Sequence, residues 1–308
     1  MAAADAAAFS LLAAGVQSTH GHAGDSATTG SRPPTPLNRR RTGPEVGHSC
    51  WRLRMKRWIP IVSMLVLCAL AASPVFASER RARLHLAGDS TLSDKLPEKR
   101  PETGWGEPFA ALFKPGSVVV INHARNGRST RTFIEEGRWK SLLDSAAAGD
   151  YLFLQFGHND ASEHKPDRYT PLPQYLDNLR RFVGDARAAG LHPLLLTPVA
   201  RRRFNAKGEL QPSHGDYPQA VRALAMELEV PLVDAEALSS VLLMEAGADA
   251  SRQFFLHLEP GEHPNYPQGL QDDTHFSPAG AAAVAKRIAD ALRQQAHPLA
   301  AHLANSSP

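Results

Sequence analysis

Beyond about residue 80, short apolar runs alternate with longer stretches whose apolar positions recur at helical spacing. The runs at 83–87, 118–122, 151–156, 192–197 and 231–234 predict strands, with helices between them. Tyr151-Leu152-Phe153-Leu154 and Leu194-Leu195-Leu196 lack an in/out alternation, as expected of strands buried on both faces of a parallel sheet. From 173 to 189, Leu176, Leu179, Val183 and Ala186 fall on one stripe, Arg180, Asp185 and Arg187 lie elsewhere, and Gly190 stops the helix. The last predicted helix has Ser277 as N-cap and Pro278 at its first position, with Val284, Ile288 and Leu292 spaced by four. No internal repeat is visible. The alternation predicts an α/β fold, a three-layer α/β/α sandwich on a parallel five-stranded sheet, in which ligands sit beyond the carboxyl ends of the strands.

The first 54 residues break this pattern. They are Ala-rich, then rich in Ser, Gly, Pro and Arg, and predict a disordered leader without a packed core. Met55-Lys56-Arg57 opens a charged segment, 58–72 is almost unbrokenly apolar, and Val75-Phe76-Ala77 ends on small residues. This predicts a signal peptide at 55–77 with translation starting at Met55, and a secreted or periplasmic domain at 78–308. A membrane-spanning helix needs about 20 apolar residues, and Pro74 interrupts this stretch, so no stable membrane anchoring is expected after cleavage. Leu67, ahead of Cys68, is too large for the small residue that lipidation requires.

Removing the leader changes the charge balance. Of 34 Lys+Arg and 31 Asp+Glu, eight basic and three acidic residues precede residue 78, which leaves 26 against 28. The basic character of the whole chain is thus a leader property and gives no support for nucleic-acid binding. Cys50 and Cys68 also precede the expected cleavage, so the domain is expected to fold by burial without a disulfide.

Three polar clusters follow predicted strand ends or lie near the C-terminus. Gly88-Asp89-Ser90 breaks the first strand and presents a hydroxyl; Gly157-His158-Asn159-Asp160 ends the third; Asp272-Asp273-Thr274-His275 precedes the last helix. Together they offer the nucleophile, base, base-orienter and oxyanion donor of acyl transfer. Ser90 is the candidate nucleophile and His275 the base. Asp272, expected in a turn before the Ser277 cap, is the orienter, with Asp273 as its alternative; both could instead merely favour the following helix N-terminus. The backbone N–H groups of Ser90 and Gly127 and the side-chain amide of Asn159 are the candidate oxyanion donors. Gly127 and Asn159 could equally be ordinary turn residues. His158 is expected to pack or to support a neighbour, and neither it nor His263 has metal-ligand spacing, so no metal or cofactor is predicted.

These residues resemble the four blocks of the SGNH (GDSL) hydrolases. Gly88-Asp89-Ser90-Thr91, Gly104-Trp105-Gly106, Asn126-Gly127-Arg128-Ser129-Thr130-Arg131, Phe156-Gly157-His158-Asn159-Asp160 and Asp273-Thr274-His275-Phe276 are similar to the rhamnogalacturonan acetylesterase branch in particular. The resemblance implies a flavodoxin-like SGNH hydrolase fold, metal-independent ester hydrolysis, and removal of acetyl groups from a pectic polysaccharide through an acetyl-enzyme on Ser90. The expected partner is therefore an acetylated, acidic polysaccharide. Arg128 and Arg131, and Arg201, Arg202 and Arg203 after the fourth strand, could bind galacturonate carboxylates, or could be solvated surface. Trp105 could stack on a sugar ring or pack beneath the Ser90 loop. Acetyl esters of xylan, small esters, and a non-catalytic carbohydrate-binding role are the competing readings.

Overall fold

The computed structural model describes residues 81–305; the leader, the signal peptide and the cleavage point before Ser78 lie outside the described residues. The predicted runs form β1 (Ala82–Gly88), β2 (Val118–Asn122), β3 (Tyr151–Gln155), β4 (His192–Leu196) and β5 (Leu232–Val233), parallel and in the order β2-β1-β3-β4-β5. Among the described residues there are six helices of more than one turn. They are α1 (Thr130–Glu135), α2 (Arg138–Ser145), α3 (Leu172–Ala188), α4 (Tyr217–Glu227), α5 (Ala235–Ala250) and α6 (Pro278–Gln294).

Side-chain alternation along the strands divides the apolar residues between two cores. Leu84 and Leu86 of β1, Phe153 of β3, and Leu194 and Leu196 of β4 pack with Trp105, Phe109 and the α6 stripe of Val284, Ala285, Ile288 and Leu292. Ala87, Leu152, Leu154 and Leu195 point to the opposite face. They meet Phe133, Trp139, and the α3 and α4 stripes of Leu179, Phe182, Val183, Val221 and Leu224. The sheet is therefore buried on both sides, which explains the runs without alternation of polarity. Each fully buried Leu, Val or Phe contributes about 1.5–3 kcal/mol, so both layers are needed to hold the sheet.

Register then assembles the rim. Gly88 pairs with Gln155, and Gln155 with Leu196, so β1, β3 and β4 end level with one another. Ser90 and Gly157 each follow two residues later. Sequence-distant loops are delivered to one edge.

One pair of strands was not expected. β6 (Phe255–Leu258) and β7 (Leu270–Phe276) form an antiparallel ribbon, so Asp272 to His275 lie on a strand and not in a simple turn before the last helix. Leu256 pairs with Asp272, yet Phe255 pairs with Phe276, which leaves residues 273–275 bulged out of the ladder. The bulge turns His275 out of the ribbon's regular alternation. Ser277 caps α6 as expected, its Oγ accepting from the Gly280 N–H at 3.2 Å.

Candidate active site

The chain turns sharply after β1, with the N–H groups of Leu92 and Ser93 both donating to the Asp89 carbonyl. The buried Asp89 carboxylate braces this turn: its Oδ1 accepts from Thr91 N–H at 3.0 Å and from Thr91 Oγ1 at 2.8 Å. Burial pushes the Asp89 carboxyl above its usual range, against those two hydrogen bonds and the nearby charges of Lys95 and Arg201. Thr91 Oγ1 in turn accepts from Gln155 Nε2 at 2.9 Å, and Gln155 Oε1 accepts from Trp105 Nε1 at 2.5 Å. Trp105 is fully buried, so it presents no face to a sugar and packs beneath the Ser90 turn. Gly104 and Gly106 flank it because a Cβ at either position would lie 2.2 Å from the Ser93 carbonyl oxygen or 2.5 Å from that of Leu92.

Ser90 Oγ lies 2.9 Å from His275 Nε2, and His275 Nδ1 lies 2.7 Å from Asp272 Oδ2. The other carboxylate oxygen of Asp272 accepts from the N–H groups of Thr274 and His275 at 2.7 and 3.0 Å. Burial alone would raise the Asp272 carboxyl. The hydrogen bonds and charge of His275, with the two N–H donors, outweigh it and hold the group at about 2. An ionised Asp272 fixes Nδ1 as the protonated nitrogen and leaves Nε2 free to accept a proton from Ser90. Asp273 is committed elsewhere: its Oδ1 accepts from Arg202 Nη1 at 2.8 Å and meets His257 Nε2 at 2.7 Å. Of the two carboxylates, Asp272 alone reaches the imidazole.

Opposite Ser90, the loop after β2 bends through Gly127 at φ 77° and enters α1 through Ser129, which makes a capping box with Thr132. Asn159 Nδ2 donates to the Arg128 carbonyl at 3.0 Å, leaving a second amide hydrogen for the cleft. Asp160 Oδ1 accepts from Thr130 N–H at 2.9 Å and Oγ1 at 2.6 Å, tying the start of α1 to the β3 loop. Burial raises the Asp160 carboxyl to about 7. Among the described residues, the backbone N–H groups of Ser90 and Gly127 donate to no protein acceptor.

These groups line a cleft of about 680 Å³ whose walls also carry Lys99, Lys165, Arg168 and Arg201. Arg128 lines it too, but its Nε is shared between both Glu136 oxygens at 2.9 Å. Arg131 does not line it. Its guanidinium holds the Pro166 and Tyr169 carbonyls and pairs with Glu135, because the first turn of α1 carries its side chain toward the 163–170 loop. Arg202 is buried against Asp273 and Ser251, while Arg203 is exposed and outside the cleft. Arg168 is likewise paired with Asp167 at 2.9 Å, and Arg201 donates to Thr274 Oγ1 at 2.7 Å; of Lys99, Lys165, Arg168 and Arg201, Arg201 alone was expected on this rim.

His158 is buried beneath the cleft, with Nδ1 at 3.0 Å from His214 Nε2, and burial depresses its basicity strongly. His263 accepts the Asn265 N–H within its own loop. Among the described residues, no group of three or more His, Cys, Asp or Glu is arranged to hold a metal ion. Two further charged residues, Lys95 and Glu102, lie buried beside Ser90. In the sequence they read as ordinary loop charges, with no spacing to mark them.

Residues 86–283 match the GDSL-like lipase/acylhydrolase family. The chain is 44% identical over 221 residues to the rhamnogalacturonan acetylesterase RhgT of Bacillus subtilis, covering 72% of this chain and 94% of that protein. In fold it is similar to the crystal structure of YxiM from Bacillus subtilis, at TM-score 0.60 and 24% identity, covering 71% of this chain and 58% of that one. It is also similar to Axe2, an acetylxylan esterase from Geobacillus stearothermophilus, at TM-score 0.50 and 20% identity, covering 69% and 93%.

Proposed function

Because this chain belongs to the GDSL-like lipase/acylhydrolase family and is a carboxylic ester hydrolase, we propose that it is a secreted or periplasmic serine esterase that removes acetyl groups from a pectic polysaccharide. The observation that carries this reading is the 2.9 Å contact of Ser90 Oγ with His275 Nε2, backed by the ionised Asp272. Ser90 Oγ attacks the acetyl carbonyl as its proton passes to Nε2. The developing oxyanion is met by the N–H groups of Ser90 and Gly127 and by the free amide hydrogen of Asn159, each such donor lowering the barrier by about 3 kcal/mol. The imidazolium then protonates the departing sugar oxygen, and an acetyl group remains on Ser90. Water, deprotonated by His275, releases it as acetate. No step requires a metal.

The polysaccharide is inferred from the 44% identity to an enzyme named for rhamnogalacturonan and from the chemistry of the cleft. Lys99, Lys165, Arg168 and Arg201 would suit uronate carboxylates spaced along a chain. The likeness to the acetylxylan esterase, at 20% identity, supports the fold alone. The export of the domain is supported by the signal-like sequence of 55–77.

The test compares acetate release from acetylated rhamnogalacturonan, homogalacturonan and xylan, with Ser90→Ala as control. Release should be fastest from rhamnogalacturonan and abolished in the variant. Preferred release from xylan would overturn the pectic assignment, and an active Ser90→Ala would overturn the mechanism.

A further inference from the structure

Lys95 and Glu102 form an ion pair inside the protein directly behind the nucleophile. Lys95 Nζ lies 2.6 Å from Glu102 Oε1, with the Lys95 side chain fully enclosed and that of Glu102 7% exposed. The ammonium also donates to the Ser90 carbonyl, to Ser93 Oγ at 3.1 Å and to Asn126 Oδ1 at 2.8 Å. It therefore touches the backbone of the nucleophile and the residue just before Gly127. On the other side, Glu102 Oε1 is 3.9 Å from His275 Nε2, the nitrogen that faces Ser90 Oγ. The next residue, Thr103, donates its N–H to the Phe276 carbonyl at 3.0 Å, which anchors this segment to β7 beside His275.

Stability does not explain such a pair, because removing two charges from water costs several kcal/mol per ion and their attraction often only offsets it. Burial pulls the Lys95 ammonium below its usual range, and Glu102 is the main group that holds the charge in place. The position matters more. A carboxylate that close to Nε2, left unneutralised, would favour a positive imidazole and would compete with Ser90 for Nε2. An imidazole already protonated cannot accept the proton of Ser90.

We infer that Lys95 neutralises Glu102, so that the carboxylate supports the imidazolium formed during attack without protonating His275 in the resting enzyme. Both are positioning residues that act through His275 and the Ser90 and Asn126 loops. The inference rests on the esterase reading of Ser90 and His275. Other titratable or charged groups act on the imidazole, Asp272 on its own strand and His158 after β3, or on the carboxylates around it, Arg201 after β4 on Asp272 and Tyr266 in the β6–β7 connection on Asp272 and Glu102. All four are left unchanged in the test.

The experiment measures kcat/KM for a chromogenic acetyl ester against pH in the full chain and in Lys95→Met, Glu102→Gln and the double variant. In Lys95→Met the acid limb of the profile should move to higher pH by about one unit, with a loss on the order of tenfold at mildly acid pH, the shift typical of an uncompensated charge at this range. In Glu102→Gln the limb should move to lower pH. The double variant, with both charges gone, should return close to the wild-type limb although Lys95 is still missing. Thermal unfolding of each variant shows whether it folds. If Lys95→Met does not, the comparison of Glu102→Gln with the folded double variant decides, and the former must have the lower limb. Coincident acid limbs in all folded variants would overturn the inference while leaving the esterase reading intact. A wild type without esterase activity, or one unaffected by Ser90→Ala, would overturn both.

Discussion

The division of labour between Asp272 and Asp273 shows how far single residues were readable. The spacing to His275 favoured Asp272 with Asp273 as its alternative, and the partners separate them: Asp272 holds Nδ1 of His275, whereas Asp273 holds Arg202 and His257. Asp272→Asn should lower kcat by about four orders of magnitude, because an amide favours the wrong imidazole tautomer. Asp273→Asn should leave kcat within a few-fold and cost about 1 kcal/mol or less of stability, since half of its side chain is exposed. Turnover and thermal unfolding of the two variants check this, and equal losses of turnover would contradict it. Asp272 also predicts a pH signature. Its carboxyl lies at about 2 in the folded chain, below the ordinary 3.8, so its contribution is fully present above about pH 4 and is lost as pH falls through 2. That contribution is about 2 kcal/mol. Unfolding free energies between pH 5 and pH 2 should therefore fall less steeply in Asp272→Asn than in the wild type, and parallel curves would refute the linkage. Trp105 and Arg131 mark the limit of such reading. An aromatic between glycines and an arginine beside a candidate oxyanion loop looked suited to substrate, but core packing took the first and carbonyls of the 163–170 loop took the second.

Elements were more legible than residues. The five parallel strands and both amphipathic helices follow from periodicity, and because Gly88, Gln155 and Leu196 end level, predicted strand ends were enough to gather Ser90 and Asn159. The β6–β7 ribbon was missed because four residues, Phe255 to Leu258, carry too short an alternation, and because the bulge at 273–275 disguises β7 as a turn. Close backbone approach was also invisible until the loops were in place. Gly104→Ala should cost about 1–3 kcal/mol, as a Cβ there would press on the Ser93 carbonyl and displace the turn that carries Ser90. Calorimetry together with kcat tests this: a lowered melting temperature accompanied by lowered turnover is expected, and an unchanged enzyme would show that the turn has room to relax.

At the scale of the whole molecule, where charge is placed matters more than its net value. The 78–308 segment has 26 basic and 28 acidic residues, whereas the cleft sets Lys99, Arg128, Lys165, Arg168 and Arg201 against Glu102, Glu136, Asp167 and Asp272. Lys99 and Lys165 are exposed and Arg168 and Arg201 half-buried, and solvent-facing charges act over about 8 Å at physiological ionic strength, so salt should weaken binding of an acidic polymer and leave a neutral ester unaffected. KM for acetylated rhamnogalacturonan should rise several-fold as salt is raised from low to molar concentration, with KM for a neutral chromogenic acetate constant; a salt-independent KM for both would remove the electrostatic reading of the cleft. The central chemistry is tested most directly by trapping its intermediate. The full chain is mixed with an activated acetyl ester, quenched in acid within the first turnover and mapped by peptide mass spectrometry. An acetyl group on the peptide containing Ser90, absent in both Ser90→Ala and His275→Ala, is the expected result. Acetylation at another residue, or rapid turnover with no acetyl on Ser90, would contradict the assignment of the nucleophile.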